Sequence, residues 1–296
     1  MPEINVSELR RLRLHSPDAI ARAAVQRVRR PLVGETGRLM LLAADHPARG
    51  AMGAGGDALA MADRAELLAR LVAALARPGV DGVLATPDIV EDLLLLGALD
   101  RKVVFGSMNR GGLQGAAFEL DDRFTAYDAR SIVEGGLDGG KMLVRIDPAE
   151  PDSVATLEAC GNAVTDLARH ARAALIEPFI SRRVDGRVVN DLSSEAVIRS
   201  VAIASGIGAT SAYTWLKLPV IDDMERVMAA TTLPTLLLGG DPTHAPDKTY
   251  AAWERALAVP GVTGLVVGRA LLYPRGDDVE AAVDEAVRLV RQRASP

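Results

Sequence analysis

The sequence predicts an α/β protein, a closed (β/α)8 barrel preceded by an N-terminal helical extension over residues 1–37. Three observations carry that prediction. The 296 residues alternate short apolar runs with longer amphipathic stretches, eight of each after an opening helix. The runs are short and apolar throughout, as parallel strands buried on both faces must be. Finally, the first run continues as Leu42-Ala-Ala-Asp-His-Pro and lacks the glycine fingerprint that a dinucleotide-binding open sheet places there. The glycines at Gly53 to Gly56 come too late to supply it.

The expected strands are Leu39 to Ala44, Gly82 to Thr86, Lys102 to Gly106 and Lys141 to Ile146. Ala173 to Pro178, Tyr213 to Leu218, Pro234 to Leu238 and Thr263 to Gly268 complete the eight. An opening helix from Val6 to Arg30 precedes them, its arginines alternating with apolar residues as on a solvated amphipathic face. The helices between strands are expected at Ala58 to Ala76, Ile89 to Leu99, Tyr127 to Leu137 and Pro151 to Ala171. Asn190 to Ser205, Asp222 to Ala230, Asp247 to Ala258 and Asp277 to Arg291 follow. Several start with Asp, Asn or Ser, whose side chains cap free backbone N–H groups. In the first, Leu59, Leu67, Leu71, Val72 and Leu75 are expected on one side. No linker or shift in composition divides the chain, so residues 1–296 read as one domain with a longer loop from Ser107 to Phe124.

Composition narrows the function. Hydrophobic residues make up 49% and charged residues 25%, the balance of a globular protein able to bury a large core. The net charge of −5 argues against a nucleic-acid partner, which calls for a basic patch. Cys160 is the only cysteine, which rules out an intramolecular disulfide and fits a reducing compartment; its place in a helical stretch reads as packing. The first residues, MPEINVSELRRLRLH, lack the apolar core of a signal peptide. No stretch approaches the ~20 apolar residues of a membrane helix. The expectation is a cytoplasmic protein with no membrane partner.

In such a barrel, functional groups project from the carboxyl ends of the strands. Side chains two apart on a strand share a face, so a charge inside an apolar run is informative. Lys217, in Trp215-Leu-Lys-Leu-Pro219, points into the barrel near its upper rim if Leu216 and Leu218 face the helices. Burial and neighbouring cations favour the neutral, nucleophilic form of an amine there, which attacks a ketone or aldehyde to form an iminium. A lysine paired with an interior carboxylate in a purely structural role has the same pattern. Lys141 lies deeper, about six residues before the Asp147-Pro148 loop, and reads as a supporting cation. Arg145 shares its face and suits an oxyanion or substrate carboxylate, or a structural ion pair. Glu177 closes the fifth run and can shuttle protons across from the lysine. Asp45 closes the first and can accept from a substrate hydroxyl or balance the lysines.

The last two runs end in Gly239-Gly240-Asp241 and Gly268-Arg269. Glycines there let backbone N–H groups approach a phosphate, and Arg269 can add a bidentate contact; an ordinary tight turn is the alternative. Histidines add little: His46 borders the mouth, His15 and His170 fall on helical stretches, and His244 follows the seventh run. With no HxH, HExxH or Cys/His cluster, no metal is expected.

Ala174-Leu-Ile-Glu-Pro178, followed by Trp215-Leu-Lys-Leu-Pro-Val220, resembles the class I tagatose-bisphosphate and deoxyribose-phosphate aldolase superfamily. Lys141 to Pro148 resembles its fourth-strand lysine segment, and Gly264 to Ala270 its closing phosphate segment. The resemblance spans Leu39 to Ala270. It implies Lys217 as Schiff-base lysine, Glu177 as acid/base, and Lys141 and Asp45 as supporting groups. It also implies a phosphorylated sugar as partner, no metal or other cofactor, and a homo-oligomer. Archaeal-type fructose-bisphosphate aldolases use a tyrosine near the end of the fifth strand, where this chain offers Phe179. The chain also resembles actinobacterial barrels associated with inositol catabolism. That resemblance implies cleavage of 6-phospho-5-dehydro-2-deoxygluconate to dihydroxyacetone phosphate and malonate semialdehyde. A deoxyribose-phosphate, fructose-bisphosphate or tagatose-bisphosphate type of aldolase is an alternative. A non-catalytic sugar-phosphate-binding regulatory barrel and a metal enzyme using Asp45, His46 and Glu177 are others.

Overall fold

The computed structural model describes residues 1–110, 112–239 and 246–292. Eight parallel strands close a barrel: β1 (Leu39–Ala44), β2 (Gly82–Ala85), β3 (Val103–Ser107), β4 (Gly139–Ile146), β5 (Ala173–Val184), and, after the hairpin strand β6 (Arg187–Asn190), β7 (Thr214–Leu218), β8 (Thr235–Leu238) and β9 (Val262–Val267). The strand order is β4-β3-β2-β1-β9-β8-β7-β5, and the β4–β5 pairing closes the ring. The fold is a (β/α)8 TIM barrel, as expected from the alternation of elements.

Helices α1 (Val6–His15) and α2 (Ala19–Gln26) precede the barrel, and α3 (Arg64–Ala76) and α4 (Pro87–Leu95) follow its first two strands. The rest are α5 (Ala129–Glu134), α6 (Asp152–Arg169), α7 (Ser194–Ser205), α8 (Met224–Met228), α9 (Pro246–Leu257), α10 (Arg269–Leu272) and α11 (Val279–Arg291). Caps set several starts: Asp63 accepts from Glu66 N–H, Ser193 from Ala196, and Asp278 from Ala281. Asp128 and Ser131 form a reciprocal capping box on α5.

The expected opening helix is two helices. The first ends at His15 with Ser16 as its cap, because Pro17 disfavours helical backbone in the residue before it. Its arginines are not all on a solvated face. Arg27 is buried and donates to the carbonyls of Lys102 and Gly136, and Arg30 reaches Asp81 at 2.5 Å. These contacts fasten the extension to the amino-terminal end of the barrel. The helix expected from Ala58 begins only at Arg64, after the Asp63 cap, and Leu59 is exposed in the preceding loop. Likewise, the stretch from Asn190 opens as strand rather than helix: β5 runs on past the barrel and pairs antiparallel with β6, from Ser181–Asn190 to Val184–Arg187.

Strand alternation splits the core in two. Met40, Leu42 and Ala44 of β1 face outward into the layer shared with Leu68 and Leu71 of α3. Leu39, Leu41 and Ala43 face inward, where they meet Phe105, Leu175 and Leu236. Gly264 sits in the left-handed half of φ space (149°), and a Cβ on it would fall 1.8 Å from the Leu39 carbonyl oxygen. Only glycine lets β9 lie this close to β1. Cys160 packs in the outer layer, and burial pushes its thiol up to about 12. Among the described residues, no helix is long and apolar enough to cross a membrane.

Candidate active site

The inward faces turn polar at the carboxyl ends of the strands. Leu216 and Leu218 pack in the outer layer, so Lys217 points into the barrel. Register explains how the other charges meet it. Ile176 pairs with Leu216, which brings Glu177 level with Lys217, and Leu143 sits level with Glu177 on the other side. Lys141 is two residues deeper on β4, roughly 7 Å at ~3.3 Å per residue, and a lysine side chain spans that distance.

The result is a continuous chain of alternating charges. Lys217 Nζ lies 3.0 Å from Glu177 Oε1, and Glu177 Oε2 is in direct contact with Lys141 Nζ. Lys141 Nζ donates to Asp45 Oδ2 at 3.2 Å. All four side chains are nearly inaccessible to solvent. The difference in depth between the two lysines is therefore erased at their amines, which flank one carboxylate.

Two residues not anticipated from sequence complete the Asp45 end. Ser107 Oγ donates to Asp45 Oδ2 at 3.2 Å, and Arg110 Nη2 lies 3.1 Å from the same oxygen. Arg110 comes from the long loop after β3, where no periodicity tells which side chain turns inward.

Burial opposes ionisation of Asp45, yet Arg110 and Lys141 outweigh it and hold the carboxyl well below its usual range. Burial works the same way on Glu177, and Lys141 and Lys217 bring it down to about 2. Lys141 is lowered by burial, against the pull of Asp45 and Glu177, to about 8. His46, at the mouth, is depressed by burial to about 3 although Asp45 is near, so it is neutral at pH 7. Among the described residues its Nδ1 has no hydrogen-bond partner.

These groups floor a cavity of about 520 Å³, walled by Leu143, Phe179 and Trp253. Gly239, Gly268, Arg269 and Lys248 line it on the β8–β9 side, Lys248 being unforeseen; Gly240 and His244 lie outside the described residues. A Cβ on Gly268 would fall 2.4 Å from the Ala43 carbonyl oxygen and 2.9 Å from His46 Cε1, so backbone alone fits there. Arg269 Nη1 donates to the Gly53 carbonyl at 3.1 Å.

Arg145 also reaches the cavity wall, but its guanidinium is engaged by the β3 loop. It donates to Asp122 from Nε (2.9 Å) and Nη2 (2.5 Å), and to Glu119 Oε1 (3.3 Å). Asn109 ties the same loop down by accepting from Leu143 N–H at 2.7 Å. Among the described residues, no three His, Cys, Asp or Glu side chains gather as a metal cluster.

A model of the Cgl0159-like family matches residues 37–287. The chain belongs to the Cgl0159-like family. The crystal structure of Cgl0159 from Corynebacterium glutamicum is 56% identical, covering 98% of this chain and 99% of that one, with a TM-score of 0.95. A Schiff-base-forming fructose-1,6-bisphosphate aldolase is 20% identical over 92% of this chain and 99% of its own, with a TM-score of 0.65. An archaeal fructose-1,6-bisphosphate aldolase whose catalytic lysine carries the carbinolamine intermediate is 18% identical over 92% and 99%, with a TM-score of 0.66. The family thus shares the barrel of class I aldolases. No curated protein matches the chain in sequence.

Proposed function

We propose that the protein is a class I aldolase that cleaves or forms a carbon–carbon bond in a phosphorylated keto sugar or sugar acid through a Schiff base on Lys217. The observation that carries this reading is the buried chain Asp45–Lys141–Glu177–Lys217 on the floor of the cavity. Both lysines line the cavity, but Lys141 is held by two carboxylates while Lys217 touches one.

The neutral Lys217 amine adds to the substrate ketone, forming a C–N bond and a carbinolamine. Glu177, within hydrogen-bonding reach of Nζ, first takes the ammonium proton of resting Lys217. The adding nitrogen gives one of its own protons to the carbinolamine oxygen, and Glu177 returns the first to the departing hydroxyl. Water leaves and an iminium remains. A carboxylate then removes the proton of the substrate's β-hydroxyl; the carbon–carbon bond breaks, its electrons enter the iminium as an enamine, and the aldehyde departs. Protonation of the enamine carbon and addition of water release the ketone and regenerate the amine. Lys141, mostly protonated at pH 7, holds Asp45 ionised and restores Glu177 to its ionised form between proton transfers.

Gly239 and Gly268, with Arg269, take the substrate phosphate in this reading. Gly240 is assigned to the same role from sequence. With Glu177 against Lys217, no tyrosine is required where Phe179 stands. The finer substrate assignment, 6-phospho-5-dehydro-2-deoxygluconate, rests on the sequence resemblance alone. Assembly as a homo-oligomer through the N-terminal helices belongs to the same reading, supported by exposed Leu14 and Val25.

Borohydride reduction in the presence of ketose phosphates, followed by peptide mass mapping, tests the reading. A secondary amine on Lys217 is expected, and Lys217→Ala should lower turnover by at least ~10³-fold. An adduct on Lys141 instead, or none with any triose or ketose phosphate, would overturn it. Ligand binding without turnover in the wild type would point to a regulatory barrel.

A further inference from the structure

Among the described residues, the β3–β4 side of the barrel mouth holds a cation that no carboxylate there pairs with. On the β3–β4 side, Arg145 is taken by Asp122 and Glu119, and Arg110 by Asp45. Arg49, in the turn after β1, also lines the cavity. Its backbone is fixed from this side, since its carbonyl accepts the N–H of Gln114 from the β3 loop at 2.9 Å. Among the described residues, its guanidinium makes no hydrogen bond or ion pair. Burial, then Arg145 and Arg110, hold its pKa below the ordinary guanidinium value against the weaker pull of Asp122 and Glu177. A guanidinium does not escape by deprotonating, so a half-buried one without a counter-ion is poised for an anion from outside.

Its position says which part of a ligand would supply that anion. In the ring of eight strands, β3 lies four strands from β8 in either direction. Arg49 follows β1, the neighbour of β9, but it is tied to the β3 loop and its guanidinium lies near Arg145 and Arg110. It therefore faces the β3–β4 side, across the mouth from Gly239 with the two lysines between. A single planar fork of N–H donors matches a carboxylate, which accepts two parallel bonds.

We infer that Arg49 receives a carboxylate at the end of the substrate remote from its phosphate, so the substrate is the phosphate of a keto acid and not of a neutral sugar. This rests on the aldolase reading for the reaction, but the recognition can be measured without it. Probes lacking a carbonyl cannot form a Schiff base. Calorimetric titration of 6-phosphogluconate, glucitol 6-phosphate and glucitol 1,6-bisphosphate compares a carboxylate, a neutral group and a second phosphate on one carbon chain.

The wild type should bind 6-phosphogluconate at least about tenfold more tightly than glucitol 6-phosphate, the scale of one charge-assisted hydrogen bond. Arg49→Ala should abolish that ratio, and Arg49→Lys, which keeps the charge but not the fork, should keep only part of it. Equal affinities in the wild type, or a ratio that survives in Arg49→Ala, would overturn the inference. Tighter binding of the bisphosphate than of 6-phosphogluconate would overturn the choice of carboxylate. Borohydride trapping on Lys217 is read separately, so failure of one reading is not failure of the other.

Discussion

The amino-terminal and carboxyl-terminal halves of the barrel interior are built on the same faces of the same strands, yet they obey opposite rules. Low in the barrel, Leu39, Phe105, Leu175 and Leu236 fill the space with hydrocarbon. Higher up, Glu177 stands two residues above Leu175 and Asp45 six above Leu39, and with Lys141 of β4 and Lys217 of β7 they too are withdrawn from solvent. Hydrocarbon packing stabilises by removing apolar surface from water. Four buried charges can only approach neutrality, since each costs desolvation that its neighbours must offset. The lower half is thus where stability is made, and the upper half where it is risked for reactivity.

The largest expected effect lies in the upper half. Glu177→Gln should lower kcat/KM by roughly 10²–10⁴-fold, the range for loss of a positioned proton-transfer group. A smaller loss would mean that Glu177 merely balances charge. In the lower half, Phe105→Ala should cost about 3–5 kcal/mol of folding stability in denaturant titrations, while the folded fraction still traps ketose phosphate on Lys217. Loss of trapping in that folded fraction would break the division of labour.

Arg145 sits at the boundary. Arg145→Met leaves Asp122 and Glu119 buried without their cation and should destabilise by about 3–5 kcal/mol. A change in KM with stability intact would instead assign Arg145 to substrate.

Titration provides a smaller test. Glu177, held at about 2 against an ordinary 4.5, binds its proton less readily folded than unfolded. It therefore stabilises the fold above pH 4.5 and loses that contribution as pH falls toward 2. Glu177→Gln should flatten the acid side of the stability profile, and an unchanged slope would contradict the ion pairing. Lys141 gives a slope of the same sign at higher pH: between about 8 and 10.5 the unfolded amine binds more protons, so its contribution also makes stability rise with pH. The smallest effect belongs to the surface: Arg130→Ala, which breaks the exposed pair with Glu134 on α5, should leave the denaturant midpoint unchanged within experimental error.

Much of the lower half was legible in the sequence because hydrocarbon burial is periodic. Leu39–Ala44 is a strand over the very span its apolar run suggested, and Leu216 and Leu218 turned Lys217 inward by alternation alone. Where polar residues carried the structure, the reading faltered. The hairpin from Ser181 to Asn190 is largely polar and exposed, so no apolar run announced it. Leu59 was misplaced because an apolar residue in a loop looks the same as one on a helix; the Asp63 to Glu66 cap was the better signal. Pro17, which divides the opening helix, was in plain view.

The sequence by itself determined the barrel, the inward direction of Lys217 and the presence of charges at the strand ends, since these follow from period and position along single strands. Only the tertiary structure decided that Lys141 and Lys217 share Glu177, that Arg110 joins Asp45, that Arg145 is absorbed by the loop after β3 and that Arg49 is left over among the described residues. Those outcomes depend on register between strands and on the path of an aperiodic loop. A charge in the low-dielectric interior is defined by which partner lies within a few ångströms, and that distance is a property of the folded chain.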